Sequence, residues 1–124
     1  MSKILVLDGF FHQNTSSDDG TDDFATTVDA DTLAIPVTHA YVSKTTGADA
    51  EALTLADGTV FGQLLTIYLA TDGGGDGTLT PTTASGWATI VFADAGDQAI
   101  LMWTGVGGWR IWSLSGKAGP PVHT

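Results

Sequence analysis

The chain has 124 residues, 4 Lys and Arg against 14 Asp and Glu, a formal net charge of −10, 43% hydrophobic residues and no Cys. That length suits one domain with a core of its own, and the hydrophobic fraction is too high for a disordered tail. The missing Cys excludes disulfides, thiol catalysis and Cys-ligated zinc, no apolar run approaches the roughly 20 residues of a membrane helix, and four scattered cations (Lys3, Lys44, Arg110, Lys117) form no phosphate-binding patch, so neither nucleic acid nor an anionic membrane is an expected partner.

All acids but Glu51 are Asp, a turn and cap residue, and Gly and Thr are abundant. This is the composition of short strands joined by many turns. Lys3-Ile4-Leu5-Val6-Leu7 reads as an apolar arm or first strand, closed by Asp8-Gly9 and followed by Phe10 and Phe11. With one basic flank and no small-residue cleavage site it does not read as a signal peptide. His12 to Asp23 holds Asp18, Asp19, Asp22 and Asp23 and reads as a solvated connector.

The compact part is expected to begin near Phe24, with a strand over Phe24–Val28. Leu33–Lys44 is β-rich, and Pro36 marks an edge strand or a break. Ala52–Leu55 alternates and stops at Asp57-Gly58, a hairpin-type pair. Gly62–Ala70 is apolar on both faces, which predicts a central strand. A glycine-rich loop from Asp72 to Gly77 precedes Thr78-Leu79-Thr80, which Pro81 ends. Strands follow over Ala88–Ala93, Ala99–Thr104 and Trp109–Leu114, then a tail with Gly119-Pro120-Pro121. About eight short strands and no amphipathic helix predict an all-β fold, a small antiparallel sandwich or barrel of jelly-roll type. The expected divisions are an N-terminal extended arm and acidic connector over 1–23, a β-domain over 24–116, and an extended C-terminal tail over 117–124.

Candidate chemistry is sparse. Asp72–Gly77 resembles the start of a calcium loop, but Gly74 and Thr83 stand where an EF-hand needs ligands, so a structural turn is the better reading. His12, His39 and His123 show no metal-ligand spacing. There is no Gly-x-Ser-x-Gly elbow to supply a nucleophile for His39. Asp pairs abound at turns for backbone reasons, not as a glycosidase pair. Asn14-Thr15-Ser16 is formally a glycosylation sequon and reads as chance. No cofactor, metal or catalytic residue is expected. The four Trp residues, Trp87, Trp103, Trp109 and Trp112, fall in the last third. Packing in a core or between subunits is their favoured role over sugar stacking, with exposure left open for Trp109, which follows a double Gly.

Several stretches together resemble a family of small tailed-phage virion proteins. They are Ala40–Gly47, Ala48–Gly58, Gly62–Ile67, Gly77–Thr83, Gly86–Phe92, Gly96–Ala99 and Gly108–Ile111. The resemblance covers roughly residues 33–121 and is to head decoration (cement) proteins or head-fibre domains. It implies a compact β-domain, commonly a homotrimer, on the outer capsid surface with the major capsid protein as partner, and it implies no catalytic residue. The negative charge is consistent with copies displayed densely in water. On this reading Ile4, Leu5, Val6, Leu7, Phe10 and Phe11 are candidate capsid or subunit contacts, with a first strand of the domain as the equal alternative for Ile4–Leu7. Trp87, Trp103, Trp109 and Trp112 are candidates for trimer or core packing. The rival function is a head or tail fibre or receptor-binding module that contacts host glycans.

Overall fold

The computed structural model describes residues 24–124. Ten strands form two five-stranded sheets. The first sheet has the order β1-β3-β5-β8-β9, from β1 (Ala25–Val28), β3 (Tyr41–Thr45), β5 (Leu64–Thr71), β8 (Gln98–Trp103) and β9 (Trp109–Ser115). The second has the order β10-β7-β6-β4-β2, from β2 (Ala34–Ile35), β4 (Glu51–Leu55), β6 (Gly77–Pro81), β7 (Ile90–Phe92) and β10 (Val122–His123). A 3-10 turn, Gly105–Gly107, links β8 to β9. The all-β class expected from composition is the class observed, with two mixed sheets packed on each other.

Alternation creates the core. Val42 and Lys44 of β3, Leu65, Ile67 and Leu69 of β5, and Ala99, Leu101 and Trp103 of β8 point inward, while their neighbours are partly exposed. They meet Leu53 and Leu55 of β4, Leu79 of β6 and Ile90 and Phe92 of β7. Burial of these branched and aromatic side chains is the main stabilising term. As expected, β5 is the middle strand of its sheet, and the β-rich stretch around Pro36 is broken into β2 and β3.

The pairing is mixed rather than wholly antiparallel. Through β6 the chain alternates between the sheets, so neighbours within a sheet run the same way: β1 with β3, β3 with β5, β2 with β4 and β4 with β6. Antiparallel pairing begins where β7 turns back on β6, and continues in β8 on β5, β9 on β8 and β10 on β7. Asp57-Gly58 is therefore not a hairpin turn. It carries the chain from β4 in one sheet to β5 in the other.

The loop after β5 explains its glycines. A Cβ at Gly75 would collide with the Asp49 carbonyl, and one at Gly73 with the Thr46 carbonyl. The Gly75 N–H donates to the Gly47 carbonyl at 2.9 Å, so two loops lie backbone to backbone. Beside them, buried Lys44 pairs with Glu51 at 2.8 Å and donates to the Asp29 and Thr32 carbonyls, each at 2.7 Å. This pair joins β3 of one sheet to β4 of the other.

Candidate interaction surfaces

Three of the four Trp residues build one end of the sandwich. Trp103 and Trp109 are register partners at the ends of β8 and β9, and their rings meet edge to face at 5.4 Å. The Trp109 indole N–H donates to the Ala56 carbonyl at 2.8 Å. The Trp87 indole N–H donates to the Trp109 carbonyl at 2.9 Å. Buried indole N–H groups need such partners. Ala56 lies in the connection after β4 and Trp87 in the connection after β6, so the two bonds tie both loops to Trp109 at the start of β9. Gly58 packs so closely on Trp103 that a Cβ there would lie 2.5 Å from its ring.

Over this brace two loops present apolar side chains to water. Phe61 is 76% exposed and Val106 fully exposed, with Val60 also exposed. The loops are nonetheless tightly bonded. Gly62 N–H donates to the Trp103 carbonyl at 2.8 Å, and the Gln63 carboxamide accepts from Thr59 N–H at 2.8 Å and donates to the Val37 carbonyl at 2.8 Å. The Thr104 hydroxyl donates to the Gly108 carbonyl at 2.6 Å. Gly105 and Gly108 adopt φ of 72° and 75°, conformations that favour glycine.

A second apolar surface is the outer face of the first sheet. Tyr41, Leu64, Tyr68, Ile100 and Met102 alternate with core residues and remain partly exposed. Tyr41 and Tyr68 stack obliquely at 6.2 Å. Burial, and then the neighbouring Tyr68, raise the Tyr41 hydroxyl above the ordinary tyrosine pKa. In β9 the register skips Trp112: Ile100 faces Ser113 while Leu101 faces Ile111. That bulge turns Trp112 out, 61% exposed, and with Met102, Arg110 and Ile111 it lines a shallow groove of about 210 Å³.

The candidate contacts Ile4, Leu5, Val6, Leu7, Phe10 and Phe11 lie outside the described residues. Trp87, Trp103 and Trp109 lie in the core, and Trp112 lies on the surface. Trp109, for which the double Gly left exposure open, is fully buried. Gly108 brings the chain against Thr83, where a Cβ would lie 2.5 Å from the Thr83 carbonyl, and the next side chain turns inward. Val60, Phe61 and Val106 went unread in the sequence, although apolar residues inside glycine-rich turns were a usable signal. His39 is half-buried and its ring pairs with the Thr38 hydroxyl at 3.2 Å. Among the described residues no group of three or more His, Asp or Glu could hold a metal ion, and no helix is long and apolar enough to cross a membrane. No protein-family model and no curated protein matches the chain.

Proposed function

We propose that this chain is a phage capsid decoration (cement) protein. It binds the outer capsid surface through the major capsid protein, associates as a homotrimer, and stabilises the shell by bridging neighbouring capsid subunits. Packaged DNA presses outward, and a clamp across subunit joints raises the energy needed to part them. The observation that carries the reading is the exposure of large apolar side chains, Phe61, Val106 and Trp112, on tightly bonded loops and a sheet edge of a strongly acidic chain. Exposed apolar surface on a rigid support is what a protein contact requires. The resemblance of residues 33–121 to small tailed-phage virion proteins supports the same reading, and the outer face of the first sheet is its candidate subunit contact.

Electron microscopy and mass spectrometry of intact particles test it. Regular occupancy of the capsid exterior is the expected result, together with shells that withstand more heat when the protein is bound. A chain absent from the head overturns the reading. The second reading, a fibre or receptor-binding module for host glycans, draws on Trp112 standing exposed beside Arg110 over the groove. Exposed Trp can stack on a sugar ring. Tail-tip localisation with glycan-array binding lost in Trp112→Ala selects that reading instead.

A further inference from the structure

We infer that the domain docks end-on: the end bearing Val60, Phe61 and Val106 meets the capsid protein, and the opposite end, bearing nearly all the described Asp residues, faces water. This rests on the reading above and names the surface that makes its contact.

Strand direction carries the argument. β1, β3 and β5 are parallel, so the turns that follow them lie at one end of the sandwich. β8 is antiparallel to β5, so the turn that precedes it lies there too. Those turns hold Asp29 and Asp31, Asp49, Asp72 and Asp76, and Asp94, all exposed, with buried Asp97 beside them. The other end is built from the connections 36–40, 56–63, 82–89 and 104–108, and its only acid is Asp57. The strands themselves hold a single acid, the buried Glu51. Among the described residues the carboxylates are therefore polarised along the strand axis: one end carries six exposed Asp with Lys117 beside Gly96, and the other carries Asp57, Arg110 and exposed Phe and Val.

That polarity decides which end can enter an interface. Seating the acidic end on a protein would strip water from six carboxylates, and each would need a cation or donor in return. The apolar end has one carboxylate to desolvate, Asp57, against six at the other, and its bonded loops have little freedom left to lose on docking. The chain also enters the domain there. The Phe24 carbonyl accepts the Ala40 N–H at 3.0 Å, in the connection between β2 and β3. The partner chemistry that fits is an apolar depression with a neutral polar rim, matched to Phe61 and Val106 between Thr59 and Thr104.

Particles carrying the full chain, with a photo-crosslinking benzoylphenylalanine in place of Phe61, Val106, Trp112 or Asp76, test the inference. Crosslinks to the capsid protein from positions 61 and 106, and none from 76, are expected. Crosslinks from 76, or from 112 without 61 and 106, overturn end-on docking while leaving decoration standing. As a second measurement, Phe61→Ser with Val106→Ser should cut occupancy by about tenfold or more with an unchanged melting temperature, because both side chains are in solvent. Undiminished occupancy overturns the inference alone. A full chain absent from particles overturns both the inference and the reading on which it rests.

Discussion

Trp103 and Trp109 face each other across paired strands, 5.4 Å apart and 62° between planes, at the last residue of β8 and the first of β9. The edge-to-face pair closes the core at the same end where Phe61 and Val106 stand in water. Support and exposed surface are thus separate sets of residues, and substitutions can address them one at a time.

Trp109→Ala removes a fully buried ring and strands the Ala56 carbonyl. A loss of about 3–5 kcal/mol is expected from the cavity. Trp112→Ala, on the exposed bulge, should change stability by only about 0.5 kcal/mol. Urea denaturation of both variants checks the contrast, and equal losses would contradict the placement of the two rings.

Lys44 and Glu51 form a buried pair between the sheets. Lys44→Met leaves the Glu51 carboxylate without its cation and should cost about 3–5 kcal/mol. The double variant Lys44→Met with Glu51→Leu should recover part of that loss, because no charge then remains buried. A double-mutant cycle in urea measures the difference.

The same carboxylate should mark the acid limb of stability. Burial alone would raise the Glu51 pKa, but hydrogen bonds from Lys44 and the Gly47 N–H, and the Lys44 charge, outweigh it and hold the pKa below its ordinary value of 4.5. A group with a lowered folded pKa contributes stability that is complete above its unfolded pKa and fades as pH falls through the folded one. Urea midpoints should therefore fall below about pH 4.5, and less steeply in Glu51→Gln. An identical acid limb in the variant would exclude Glu51 as a contributor.

Gly75→Ala places a methyl group against the Asp49 carbonyl, where the two loops pack backbone to backbone. A destabilisation of about 1–3 kcal/mol is expected from the forced shift. Thermal unfolding checks it, and a neutral result would mean that the loops separate easily.

If the outer face of the first sheet joins subunits, Met102→Ser with Trp112→Ser should convert the trimer to monomer in light scattering. Both side chains line the exposed groove, so monomer stability should hold. A wild-type chain that is monomeric at micromolar concentration contradicts a stable trimer in solution.

Much of the strand pattern was legible because it depends on neighbours in sequence. Leu65, Ile67 and Leu69 announce a buried face by spacing alone, and Pro36 breaks a strand because it lacks an N–H. The Trp residues show where such reading stops. Trp109 follows two glycines, which left exposure open, while Trp112 sits in an apolar run that suggested core or subunit packing. Trp109 is buried and Trp112 stands on the surface, because one side chain is aimed by close approach to Thr83 and the other by a bulge against β8. Each cause is a contact between residues distant in sequence.

By itself the sequence determined that this chain forms short strands with acids at the turns, because Asp, Gly and Pro act on the backbone within a few residues. Only the tertiary structure decided which turns lie together. Alternation of the first six strands between two sheets makes neighbours parallel, and parallel strands place their following turns at one end. The described residues' share of the acids, uniform as a count, thereby becomes concentrated at one end of the domain, with exposed apolar side chains at the other.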